Sequence, residues 1–194
     1  VTGVQTCALP ISGGHSLYIA NCTADSTEFL ERAMTAQELG AGGIMAAPGL
    51  LGLSIIRELS SAPDFHLPIF LHPCFSGPLV LSADSGVSPF CYYGQFSRLA
   101  GADAAIFTSF GGRFPFTEEV CRKICDGTET EMGGLRSIFP VPSGGMKWQL
   151  FKKMVQVYGP DAIFLVGGAL LTESDDLTAN MHFYFEKLNE AVNK

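Results

Sequence analysis

Short apolar runs alternate with amphipathic stretches along most of the chain. The runs 16–22 (SLYIANC), 43–47 (GIMAA), 68–72 (PIFLH), 104–109 (AAIFTS), 137–142 (SIFPVP) and 162–167 (AIFLVG) are predicted as strands. They are hydrophobic almost throughout, as strands covered on both faces must be. Helical spacing fills the intervals. Phe29, Ala33, Ala36 and Leu39 fall on one face of 28–39, and Met146, Leu150, Met154 and Tyr158 recur every four residues, with Phe151 and Val155 widening the stripe. Thr117, followed by Glu118 and Glu119, marks a helix start, and Gly40 and Gly159 mark helix ends.

Strand, helix and strand repeating in this way mean a parallel sheet. The predicted fold class is α/β, a partial TIM (β/α)8 barrel of six β/α units. A complete barrel needs eight units and typically about 250 residues. An open doubly wound sheet is the alternative, although no G-x-G-x-x-G follows the first strand.

The chain has 194 residues, 47% hydrophobic and 16% charged, with a net charge of −7. Mean hydropathy is +0.25. No Lys/Arg-rich run exists, which argues against a nucleic-acid binder, and no apolar run approaches the roughly 20 residues of a membrane span. Six cysteines lie mainly inside apolar segments and are expected to be free buried thiols; Cys121 and Cys125, one helical turn apart, lack the further ligands a metal site needs. Residues 1–12 (VTGVQTCALPIS) lack the charged start of a signal peptide and are read as a non-native leader, a sequencing-adapter artefact. Residues 13–194 are read as the barrel domain.

The placement of glycine points to chemistry. Ser143-Gly144-Gly145 follows one predicted strand and Gly167-Gly168 ends the next. Barrel loops after the last two strands commonly hold a phosphate, and glycine lets backbone N–H groups approach it closely. Plain strand-to-helix turns are the other reading. His72 ends the run PIFLH, where it can move a proton or contact substrate; a buried, hydrogen-bonded histidine is the alternative. Gly111-Gly112-Arg113 suggests a loop carrying a cation to an anionic ligand, against a plain surface arginine. Glu173, Asp175 and Asp176 are expected to cap the last helix.

The motifs HPCFSG (72–77), RLAGADAAIF (98–107), GGRF (111–114), FPVPSGG (139–145) and YGPDAIFLVGG (158–168) stand in one order. This series resembles the C-terminal barrel of the RuBisCO superfamily over residues 14–190, and NCTAD (21–25) is similar to its third-strand segment. The resemblance makes the six strands numbers three to eight. It assigns phosphate binding to Ser143, Gly144, Gly145, Gly167 and Gly168, and pocket positions to His72, the catalytic candidate, and Arg113.

Departures from the carboxylase pattern set the subclass. Pro73 follows His72 where carboxylases have a phosphate-binding arginine, Arg113 stands for their mobile-loop lysine, and Ser76 replaces another histidine. The pattern is similar to form IV, the RuBisCO-like proteins. The resemblance implies a cytoplasmic, homodimeric parent enzyme that forms an enediolate from a phosphorylated ketone. It also implies a Mg2+ ion whose ligands, including a carbamylated lysine, lie upstream, so no metal ligand is expected in this chain. The segments GGRFPF and HPCFSG are most similar to decarboxylating members acting on a 3-oxo-isoapionate 4-phosphate. The alternative is a 2,3-diketo-5-methylthiopentyl-1-phosphate enolase of methionine salvage. An aldolase is disfavoured because the lysines are expected in helices or at the terminus, away from strand ends. The chain by itself is expected to be inactive and to bind phosphate at most.

Overall fold

The computed structural model describes residues 16–82, 84–112 and 115–193. Arg113 therefore lies outside the described residues, as do His15 and the leader. Among the described residues five strands are observed: β1 (Ile19–Asn21), β2 (Gly43–Ala46), β3 (Ile69–Leu71), β4 (Ala104–Thr108) and β5 (Phe139–Ser143). They form one parallel sheet in the order β1-β2-β3-β4-β5. A doubly wound sheet reverses its strand order at a switch point, whereas a barrel adds each strand beside the last. The unbroken order is the barrel's.

Two compact units divide the chain, residues 1–87 with 96–105 and residues 88–95 with 106–194. In the first, β1 pairs with β2 (Ala20 opposite Ile44), β2 with β3 (Ala46 opposite Leu71) and β3 with the start of β4 (Leu71 opposite Ala105). Helix α1 (Ser26–Glu38) buries Phe29, Ala33 and Ala36, and α2 (Leu53–Ser60) buries Ile56 and Leu59. These side chains join Ala20, Ile44, Ala46, Ile69 and Leu71 in one core. Leu39, expected on the buried face of α1, is the C-cap residue and is exposed, because the chain leaves the helix axis at Gly40 with φ +80°.

In the second unit, α3 (Glu118–Glu129) starts at Thr117, whose Oγ1 accepts from Val120 N at 3.2 Å. It buries Cys121, Ile124 and Cys125. A 3-10 turn (Trp148–Leu150) leads into α4 (Phe151–Tyr158), which buries Phe151, Met154, Val157 and Tyr158. The buried stripe of α4 is thus carried by Val157 rather than by Leu150 and Val155, which are half-buried. The 3-10 turn has fewer residues per turn than an α-helix and takes Leu150 off the face, while Met146 before it stays buried. A short helix α5 (Gly168–Leu171) and the long α6 (Leu177–Val192) complete the unit.

The sequence did not foretell a π-helical segment, Phe90–Phe96. Its Gly94 lies against α3, where a Cβ would meet the backbone of Gly127 at 2.4 Å.

The sixth predicted strand is a correction. Within 162–167 only Leu165 forms a bridge, parallel to Ser143. Ile163 N and Leu165 N donate to Pro140 O and Pro142 O at 3.0 and 3.1 Å. The carbonyls of β5 that face this segment belong to prolines, which have no N–H to return. The ladder therefore runs in one direction, and the segment is extended but not a full strand.

The described cysteines 22, 74, 91, 121 and 125 are all free. Cys22, Cys121 and Cys125 are buried as expected, and burial pushes the thiols of Cys22 and Cys125 up to about 11 and about 12. Cys74 is exposed, because it sits in the turn after β3 rather than in an element. Among the described residues no helix is long and apolar enough to cross a membrane.

Candidate functional site

The carboxyl end of β5 is tied to its neighbours on both sides. Ser109 N donates to Ser143 O at 2.7 Å, and Ser143 Oγ donates to Phe107 O at 2.9 Å. On the other side Leu165 stands opposite Ser143. Neighbouring strands lie about 4.8 Å apart. The turns Gly111–Gly112, Gly144–Gly145 and Gly167–Gly168 therefore leave adjacent parallel segments at the same end.

Two of these turns touch through their backbones. A Cβ at Gly112 would lie 3.1 Å from Gly144 O, and one at Gly145 would lie 2.6 Å from Gly112 Cα. Gly144 and Gly145 both have positive φ, +75° and +70°, which favours glycine on its own account. At Gly144, Gly167 and Gly168 an added Cβ meets nothing within 4 Å. Main-chain groups there are open to an approaching ligand, the arrangement that lets amides address an anion.

The Ser143 hydroxyl directs its O–H at Phe107 O. It braces the two strand ends. Lys147, expected in a helix, instead has extended backbone before the 3-10 turn and is exposed, two residues beyond Gly145.

Sequence reasoning placed Tyr158 on the apolar stripe of a helix and Ser109 at the end of a strand run, and gave neither a role at the site. The Tyr158 hydroxyl and Ser109 Oγ are 2.8 Å apart and both residues are buried. No local signal pairs Tyr158 with a serine 49 positions away.

In the first unit, His72 follows β3 and its N–H donates to Ala46 O at 2.8 Å. Cys74 N donates to His72 Nδ1 at 3.1 Å. Nδ1 is thus an acceptor, and the neutral ring carries its proton on Nε2. Burial holds the imidazole below its ordinary value, which favours this neutral form. The ring offers a hydrogen-bond donor, since its free lone pair is occupied by its own loop.

That loop is tightly built. Ser76 Oγ donates to Pro73 O at 2.7 Å, and a Cβ at Gly49 would lie 2.5 Å from Cys74 O. Phe75 has φ +63°, the positive value among the described non-glycine residues, and the residue is 65% exposed.

Two members of the acidic cluster make contacts within their own unit. Asp176 Oδ1 accepts from Ala179 N at 3.0 Å and caps α6, and Glu173 accepts from the Tyr184 hydroxyl at 3.4 Å. Among the described residues no group of three His, Cys, Asp or Glu is placed to hold a metal ion.

No protein-family model matches the chain. It is 33% identical over 171 residues to the 5-methylthioribulose-1-phosphate isomerase of Rhodospirillum rubrum, covering 86% of this chain and 43% of that protein. It is 34% identical over 159 residues to the 2,3-diketo-5-methylthiopentyl-1-phosphate enolase of Geobacillus thermodenitrificans, covering 82% of this chain and 38% of that protein. A solved rubisco-like protein from Alicyclobacillus acidocaldarius superposes with a TM-score of 0.84 at 27% identity, covering 96% of this chain and 49% of that one. The chain spans about half the length of the curated relatives it matches. Sequence relatives and fold agree, and the chain belongs to the RuBisCO-like proteins, form IV of the RuBisCO large-chain superfamily.

Proposed function

We propose that this chain supplies the phosphate grip of a RuBisCO-like enolase whose substrate is a phosphorylated methylthio-pentyl diketone. The observation that carries the grip is the meeting of glycine turns at the carboxyl ends of adjacent parallel segments, with Gly112 and Gly145 in backbone contact. Amides of Gly144, Gly145, Gly167 and Gly168 address the phosphate. Arg113, outside the described residues, stays a proposed pocket cation.

The substrate class is supported by the relatives. Both carry names built on a methylthio-substituted, five-carbon phosphate. The decarboxylating reading suggested by GGRFPF and HPCFSG accordingly gives way to the enolase. Those two segments are six residues each, whereas the enolase match extends over 159 residues.

In the reaction a proton leaves the carbon beside a carbonyl, the electron pair shifts onto the carbonyl oxygen, and that oxygen is protonated. His72, through its Nε2–H, is proposed as a donor to a substrate oxygen rather than as the base. The Mg2+ ion implied by the resemblance would stabilise the charge on that oxygen when bound. The described residues contain no ligand set for it. Homodimeric assembly of the parent belongs to the same proposal.

The test uses the full-length parent with Mg2+, given 2,3-diketo-5-methylthiopentyl-1-phosphate in one arm and 3-oxo-isoapionate 4-phosphate in the other. Enol formation in the first arm with no carbon dioxide from the second is expected. Carbon dioxide release in the second arm without enol formation in the first would restore the lyase. The 194-residue chain alone is expected to bind phosphate without turnover.

A further inference from the structure

Tyr158, the last residue of α4, has its ring enclosed by Phe107, Phe110 and Phe164 at centroid distances of 5.9, 5.7 and 6.1 Å. A phenylalanine would fill that cage equally well. A buried hydroxyl is costly unless it is hydrogen-bonded, so its presence demands a partner. Ser109 Oγ is a partner at 2.8 Å, and the Cys121 thiol is a second hydrogen-bonding neighbour of the same hydroxyl. Ser109 Oγ in turn donates to Phe110 O at 3.3 Å. All three atoms are satisfied when the phenol donates to the serine and the serine to the carbonyl. Burial pushes the phenol far above its ordinary range, so it stays a neutral donor.

Ser109 sits where two turns originate. Its N–H donates to Ser143 O, one residue before Gly144. Its own chain continues through Phe110 into Gly111 and Gly112, whose backbone lies against Gly144 and Gly145. We infer that Tyr158 is a positioning residue: its hydroxyl, acting through Ser109, sets the spacing between the Gly111–Gly112 and Gly144–Gly145 turns and so presets the amide cradle for an anionic group. What the cradle holds rests on the phosphate reading above; the spacing of the turns is a property of the chain itself.

The experiment compares the 194-residue chain with Tyr158→Phe, Ser109→Ala, the double variant and Phe107→Leu. The last loosens the same cage while keeping both hydroxyls. Amide hydrogen exchange is followed at 111–112, at 144–145 and in α6, and binding of inorganic phosphate is titrated by 31P NMR. Faster exchange at both turns is expected for Tyr158→Phe and Ser109→Ala, with α6 unchanged. Phosphate affinity is expected to fall about three- to tenfold, the worth of one hydrogen bond. The double variant is expected to be no weaker than the worse single, because one linkage is lost in all three. Turn exchange in Tyr158→Phe equal to wild type would overturn the inference, as would the same pattern in Phe107→Leu. Wild-type chain that binds no phosphate would remove the phosphate reading alone, and the exchange data would then decide the positioning role.

Discussion

A Cβ placed on Gly145 would stand 2.6 Å from the Cα of Gly112, so two turns that follow different strands share one backbone contact. Substitution separates this contact from backbone strain. Gly144 and Gly145 have nearly the same φ, yet a Cβ at Gly144 meets nothing within 4 Å. Gly144→Ala is expected to cost about 1 kcal/mol through its left-handed backbone alone. Gly145→Ala adds a clash that moves one turn, for a total of about 2–4 kcal/mol. Thermal denaturation with phosphate titration checks this, and equal costs would show that the two turns do not touch.

The one-way ladder beside β5 makes a second prediction. Pro142→Ala supplies an N–H on the edge facing 162–167, where Pro142 O already accepts from Leu165 N. The gained hydrogen bond, about 1 kcal/mol, is offset by a freer unfolded chain worth about 0.4–1 kcal/mol. Stability is expected to change little. The new amide at 142 is expected to exchange slowly, as a paired strand amide does, and rapid exchange would mean that the proline is not what keeps the segment from full pairing.

His72 gives a pH dependence with a definite sign. Burial lowers its folded-state value below the ordinary 6.5, so the folded protein binds fewer protons there than the unfolded chain. Its contribution is present above pH 6.5 and is lost as pH falls through the folded value. Protonation would also set a second proton against the Cys74 N–H. The melting temperature of wild type is expected to drop more steeply between pH 7 and pH 5 than that of His72→Gln. Parallel curves for the two proteins would refute the assignment.

Much of the fold was legible in local pattern. The apolar runs located β1 to β5, and helical spacing located α1, since Phe29, Ala33 and Ala36 are buried as expected. Thr117 and Gly40 marked element ends because capping and left-handed turns depend on adjacent residues only. The run 162–167 misled for a related reason. Its own residues suit a strand, but whether it pairs depends on Pro140 and Pro142, more than 20 positions earlier.

Sequence by itself determined which residue types stand at the strand ends: serine closing β5 with paired glycines after it, paired glycines at the end of the next segment, and histidine after β3. These follow from the chain's order, since the turn after a strand is made by the residues next to it. Only the tertiary structure decided that the backbones of Gly112 and Gly145 meet, that the Ser143 hydroxyl is spent on Phe107 O, and that Tyr158 reaches Ser109. Each of those contacts joins groups at least 33 residues apart, and their distances are set by how strands and helices pack, which no periodicity in the chain records.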